Sequence, residues 1–451
     1  MEWSTICEIK RAQMGGRAMK LRPPVVGWFH LGSEEAAKAR AFLRLCNGED
    51  SVDELGFGIL RDGFSEQFFP GTSTVMTEAR YLIFVPAIYR FMEKILERKK
   101  GAIPDPFRRS REMQDQLRDV LKATFKGKEG HGVIGISVEE PERYPSVIYW
   151  ASMRTLGILK LTGASESDYL SNLAQHHDLT NVDENSGDPV AEVAPPPINW
   201  DRRFEDGSFR LEDKGRFPDE INFELTGPEA RFLRDCYLGP DKASPPLNGI
   251  HKSLLAHLIE KRRRTSFEFP WDVGVPSHLV ESVEDAKHFS VLARGATLQY
   301  YGWLIEARRT EGWEVPDADI DGWFADWWKE GRPQLLDWSE DGFLRRRHKD
   351  VRVLRNDVSF LQQWLQHCRQ AKGSKAFLTN NDVRKLIVER ERVCKPTKAR
   401  LTHKKHLQSW RRIPRESTSP YQLNYRAPIG SVFVKRIVAG LASGGDQEGI
   451  S

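Results

Sequence analysis

Residues 81–89 read Tyr81-Leu82-Ile83-Phe84-Val85-Pro86-Ala87-Ile88-Tyr89. On a helix this run is apolar on nearly every side, and a helix of that kind is buried. The pattern predicts a helix over about 76–98, at the heart of an N-terminal domain. Pro86 is expected to kink or split it, because proline has no N–H to continue the ladder. Just before it, Phe69-Pro70-Gly71-Thr72-Ser73-Thr74 reads as a turn.

Working outward, residues 25–29 read as the first ordered segment, after a flexible leader at 1–24. Ser33 is the expected cap of a helix to about Leu45, with Glu34 and Glu35 suited to its first turn. Downstream, helices are expected at 108–126, 146–161 and 166–176. Asn185-Ser186-Gly187-Asp188-Pro189 and Pro195-Pro196-Pro197 then interrupt the pattern. Thr226 and Glu229 have the spacing of a capping box. Further helices are expected at 251–263, 279–310, 351–371, 380–393 and 430–441. Strand-like runs are few, with one small hairpin expected between Phe204 and Phe217. The expected fold is mainly α, a multi-domain helical protein with at most one or two small β-hairpins. Its parts are the leader at 1–24, an N-terminal helical domain at 25–177 and a linker or exposed loop at 178–200. A central helical domain at 201–338 and a basic C-terminal helical region at 339–451 follow.

A chain of 451 residues is long enough to bury a core without disulfides or metals. Its five cysteines are Cys7, Cys46, Cys236, Cys368 and Cys394, an odd number with no two at metal-ligand spacing. Reduced thiols and a cytoplasmic location are expected. No apolar run approaches 18 residues, which argues against a membrane span. The net charge of +4 is unevenly spread. Residues 339–451 hold 24 Lys+Arg against 10 Asp+Glu, a net of +14, and residues 1–338 therefore carry −10. A polyanionic partner for the basic end is one reading; docking of that end on the acidic body of the same chain is the other.

The run 384–415 is the strongest functional signal, with 12 Lys+Arg against Glu389 and Glu391. Clustered cations release counterions from a phosphate backbone, which drives sequence-independent binding. Its candidate contacts are Arg384, Lys385, Lys395, Lys398, Arg400, Lys404, Lys405, Arg411, Arg412 and Arg415, with Trp410 as a base-stacking ring. A solvated helix surface is the structural alternative. Lys261-Arg262-Arg263-Arg264 ends a helix, where cations suit the dipole, and a structural role is expected for it. Trp313, Trp323, Trp327, Trp328 and Trp338 read most simply as core, with a base-stacking or peptide-binding platform as the alternative.

Other constellations are weaker. His348-Lys349-Asp350 lacks the H-x-K-x-x-x-x-D spacing of phospholipase D chemistry. His176-His177-Asp178 and the pair His403 and His406 lack the further ligands that zinc needs. Pro218-Asp219-Glu220 and Pro316-Asp317-Ala318-Asp319 read as turns or helix starts, and no Walker motif occurs. No metal and no cofactor is expected, and no motif identifies a reaction.

The runs Asp53-Glu54-Leu55-Gly56, Ile59-Leu60-Arg61-Asp62-Gly63-Phe64, Phe69-Pro70-Gly71-Thr72-Ser73-Thr74 and Ala79-Arg80-Tyr81-Leu82-Ile83-Phe84-Val85-Pro86 together resemble the opening of an uncharacterised bacterial domain-of-unknown-function family. Leu225-Thr226-Gly227-Pro228-Glu229-Ala230 and Leu423-Asn424-Tyr425-Arg426 are also similar to it. Glu78 stands where that family carries a basic residue. The resemblance implies no catalytic residue. Its association with mobile elements and phage-defence islands implies a part in defence or DNA processing. The residues themselves offer an anion site of Arg61, Thr72, Ser73, Thr74 and Arg80 at a helix start. The apolar surroundings favour a structural turn with Arg80 paired to Asp53, Glu54 or Asp62.

The expected function is that of a non-enzymatic, double-stranded-DNA-binding subunit of a bacterial multi-protein system for anti-phage defence. A metal-dependent nuclease using Asp62, Glu66 and Glu78, and a protein assembly scaffold, are the alternatives.

Overall fold

The computed structural model describes residues 54–97, 103, 105–126, 132–136, 141–161, 163–181, 199–204, 216–240, 246–347, 355–410 and 422–443, all within one compact unit, residues 48–451. The leader, the helix after Ser33, most of the 178–200 linker, the body of the 204–217 hairpin, His348-Lys349-Asp350, and Arg411, Arg412 and Arg415 lie outside the described residues.

The chain is mainly helical, as its periodicity predicts. Helix α1 spans Gly58–Phe68, α2 Tyr81–Glu97, α3 Pro106–Thr124, α4 Pro145–Thr155 and α5 Glu166–Asn181. Helices α6 (Gly227–Leu238), α7 (Leu254–Glu260) and the 31-residue α8 (Val280–Thr310) follow. Short helices α9 (Ile320–Asp326), α10 (Arg332–Leu336) and α11 (Glu340–Arg346) lead to α12 (Arg355–Gln370), α13 (Ser374–Leu378) and α14 (Asn381–Cys394). Helices α15 (Lys404–Ser409) and α16 (Ala427–Ser443) close the chain. Among the described residues the one strand-like feature is an antiparallel bridge between Leu159 and Trp200.

Local chemistry sets these ends. Asp105 caps α3 through the N–H of Arg108 (2.9 Å), and Pro106 fills the first position, where no N–H is needed. Thr226 and Glu229 form the expected capping box at α6. Asp319 caps α9 through the N–H of Gly322 (2.9 Å), so that carboxylate is a helix start. Helix α2 begins at Tyr81, later than the sequence predicts, and runs unbroken through Pro86. The preceding turn is held by the Tyr149 hydroxyl, which accepts from the N–H of Thr77 (3.0 Å) and of Glu78 (3.1 Å). Every residue from Tyr81 to Arg90 is buried. Packing on all sides supports the helix across the bond that proline omits.

A continuous hydrophobic cluster runs from Leu55 to Leu441. Helix α16 packs on α6 and α7, α2 on α3 and α4, and α8 on the α9 to α10 segment. Trp327 fills a slot there, its ring against Gly295 and Gly331 and its Nε1 donating to Val291 O (2.8 Å). Residues 327–331 form a π turn around this side chain. Trp327 and Trp338 are buried and Trp313, Trp323 and Trp328 partly so, which matches the core reading of the tryptophan-rich segment. Among the described residues, no helix is long and apolar enough to cross a membrane.

Candidate nucleic-acid interface

The C-terminal end of α8 gathers the basic run. Arg308 is buried there; its guanidinium donates to Glu314 O (2.7 Å), Leu407 O (2.7 Å) and Gln408 O (3.0 Å). That fastens α15 to α8. Arg384 reaches the same end, paired with Glu306 (3.0 Å) and lying over the Trp303 ring. Lys404 pairs with Glu311 and lies over the half-buried Trp313, which also faces Arg308. Lys385, Lys398, Lys404 and Lys405 are exposed. Lys385 meets Asp382 at 3.7 Å on one helix face, a weak exposed pair. Lys398 and Lys405 have no carboxylate partner among the described residues.

Three of the expected contacts are spent inside the fold. Trp410 is 6 % exposed and stacked on Tyr301, with ring centroids 5.7 Å apart, so it is a core residue and not a platform for a base. Lys395 and Arg400 both pair with Glu54, and all three are nearly buried. Burial alone would lower the Arg400 pKa, but the Glu54 charge and hydrogen bond raise it well above the usual guanidinium value. Beside them, Glu391 is fully buried and accepts from the Tyr300 hydroxyl (2.5 Å) and from the N–H of Arg400 (2.8 Å) and Leu401 (2.9 Å). Burial and the two carboxylates push the Tyr300 hydroxyl far above its ordinary value, so it is a permanent donor. Arg390 donates to Leu55 O (2.7 Å) and Gly56 O (3.3 Å). Residues 54–56, Glu54-Leu55-Gly56, are thus a socket for residues 390–401.

Of the residues of the expected anion site, Arg61, Thr72 and Arg80 are likewise engaged. Arg61 pairs with Asp62 (3.1 Å). Arg80 pairs with Glu229 (3.0 Å) and donates to Asn222 O (2.9 Å), and not to Glu54 or Asp62; Asp53 lies outside the described residues. Thr72 is buried, its hydroxyl donating to Phe69 O (2.6 Å). The Ser73 hydroxyl is buried without a hydrogen-bond partner, and Thr74 is exposed. The cation at this turn is Arg426, which donates to Thr72 O (2.7 Å) and pairs with Glu66 and, at 3.8 Å, Asp62. Sequence reasoning passed over Arg426, although it stands in the Leu423-Asn424-Tyr425-Arg426 stretch singled out there. Glu78 receives a bidentate bond from Arg436 (2.8 Å to each oxygen). The three acids of the nuclease alternative are therefore each held by an arginine of the C-terminal segment. Among the described residues no group of three His, Cys, Asp or Glu side chains converges on a metal-sized site.

The family of unknown function DUF6361 matches residues 24–196. No curated protein and no solved structure matches the chain. The matched span contains the socket at Glu54, the turn at 69–74 and the row at 81–89, while the residues that clasp them lie beyond it.

Proposed function

We propose that the protein is a double-stranded-DNA-binding subunit of a bacterial multi-protein system, acting in the cytoplasm without catalysis of its own. The observation that carries this reading is the set of exposed lysines in the basic run: Lys398 and Lys405 have no carboxylate partner among the described residues, Lys385 meets Asp382 only weakly, and the sequence stays basic through 411–415. Such a set attracts phosphates regardless of base sequence. The role in anti-phage defence rests on the sequence resemblance to families carried on mobile elements.

The test is duplex binding by the full chain across salt. Each neutralised phosphate contributes about −0.9 to the slope of log Kobs against log salt. Converting Lys385, Lys398 and Lys405 together to glutamine should shrink that slope by about 2 to 3 and weaken unrelated sequences alike. Affinity indifferent to salt in the wild type rules the reading out. Magnesium- or manganese-dependent cleavage by the purified chain would favour the nuclease alternative.

A further inference from the structure

The turn after α7 carries Lys261, Arg262, Arg263 and Arg264 in succession, and all four side chains are exposed. They stand at the C-terminal end of α7, where cations suit the helix dipole, but their side chains are not needed to satisfy its carbonyls. The last carbonyls of α7 are satisfied by backbone: the N–H of Lys261 bonds His257 O (2.9 Å), that of Arg262 bonds Ile259 O (3.0 Å) and that of Arg263 bonds Leu258 O (3.0 Å). None of the four has a carboxylate partner among the described residues. Many other arginines of the chain are paired, among them Arg80, Arg90, Arg203, Arg346, Arg369 and Arg436. Lys435 of α16 adds a fifth cation, its ammonium 3.0 Å from the Ser266 hydroxyl.

The turn also keeps a side chain where geometry disfavours one. The two closing bonds make a Schellman cap, and Arg262 sits at its left-handed position with φ 50. Glycine fills that position without steric cost. Among the described residues the Arg262 side chain has no ion pair or hydrogen bond within the chain, which leaves it available to a ligand. Among the described side chains of residues 246–270 no large apolar one is exposed, so these offer nothing to insert into a bilayer. The phosphates along a duplex attract such a cluster of cations.

We propose that the 261–264 turn with Lys435 is a second phosphate-backbone contact for duplex DNA. It rests on the DNA-binding reading above. The turn closes the short helix α7, whose beginning lies near the start of α8: the Lys252 carbonyl, just before α7, meets His278 at 2.8 Å. Lys404 pairs with Glu311 at the other end of α8, which is about 46 Å long. A ligand reaching both is an extended polymer and not a free nucleotide.

The experiment compares four full-length proteins on a 24-base-pair duplex from low to physiological salt: the wild type, K261Q/R262G/R263Q/R264Q, R263Q/R264Q, and K385Q/K398Q/K405Q. Glycine at 262 relieves the turn, and R263Q/R264Q alone serves as a variant with the backbone untouched. The expected result is a slope reduced by about 3 in the first variant and about 1.5 to 2 in R263Q/R264Q. At low salt the loss of affinity should be tenfold or more. A slope unchanged at 261–264 but reduced by the lysine variant overturns this proposal and leaves the DNA-binding reading intact. A slope reduced only at 261–264 upholds the proposal and removes the lysine surface. No duplex binding by the wild type removes both. Sedimentation with phosphatidylserine vesicles that is lost in the quadruple variant, with duplex affinity unchanged, assigns the turn to a membrane and overturns the proposal.

Discussion

Gly56 adopts a left-handed conformation (φ 71) directly under the basic segment. A methyl group there would collide with the Arg390 guanidinium and stand 2.8 Å from Cys394 Sγ. Both the backbone and the packing resist it, and the Arg390 bonds to Leu55 O and Gly56 O tie the two together. Gly56→Ala should therefore cost about 2–4 kcal/mol, more than a left-handed alanine alone. Urea unfolding measures it; a loss under about 1 kcal/mol would mean that Arg390 swings aside freely. At this scale the sequence was legible only in part. Lysine and arginine types along 384–415 read as a surface for phosphates, but nothing local says that Lys395 and Arg400 are claimed by Glu54, more than 300 positions earlier. Trp410 reads equally well as a stacking ring or as core, and only the position of Tyr301 decides.

Helices were easier to read than sites, because period and caps are local. The expected α8 and the capping box at α6 follow directly from spacing, whereas α2 starts late because Tyr149, outside that window, holds the preceding turn. Helix α5 gives a test of how much caps contribute. Ser165 and Asp168 exchange bonds at its start: the Asp168 carboxylate accepts from the Ser165 N–H (2.8 Å) and hydroxyl (2.7 Å), and the Asp168 N–H donates to the Ser165 hydroxyl (3.1 Å). The Ser165 hydroxyl, then its N–H, hold the Asp168 pKa below its ordinary 3.8. A lowered folded pKa means that the native state resists protonation. The contribution is therefore present above pH 3.8 and is lost as pH falls below it. Asp168→Asn should cost about 0.5–1 kcal/mol at pH 7. The gap between the urea midpoints of wild type and variant should close as pH drops toward 3. A gap that stays constant with pH would show that the carboxylate charge plays no part in the cap.

Over the whole molecule, the uneven charge turns out to be largely an internal matter. Arg346 pairs with Asp285, Arg384 with Glu306, Lys395 and Arg400 with Glu54, Lys404 with Glu311, Arg426 with Glu66, and Arg436 with Glu78. Each pair joins the basic third to the acidic remainder. Among the exposed cations without a carboxylate partner among the described residues are those at 261–264 and, near α15, Lys398 and Lys405. The same clasp predicts the effect of removing residues 422–451. Helix α16 buries Phe433, Val434, Ile437, Val438 and Leu441, each at most 1 % exposed. At about 1.5–3 kcal/mol per side chain their burial is worth on the order of 7–15 kcal/mol. That matches the entire stability of a typical domain, about 5–15 kcal/mol. Removal also strips Arg426 from Glu66 and Arg436 from Glu78, leaving the mostly buried Glu78 without its cation, a further penalty. The chain ending at residue 421 should therefore show no cooperative thermal transition, although its first helices are far from the cut in sequence. Circular dichroism during heating checks this. A truncated protein that keeps a sharp transition within a few degrees of the wild type would mean that residues 54–338 fold without the C-terminal clasp, and that the buried pairs joining the two parts hold little of the fold.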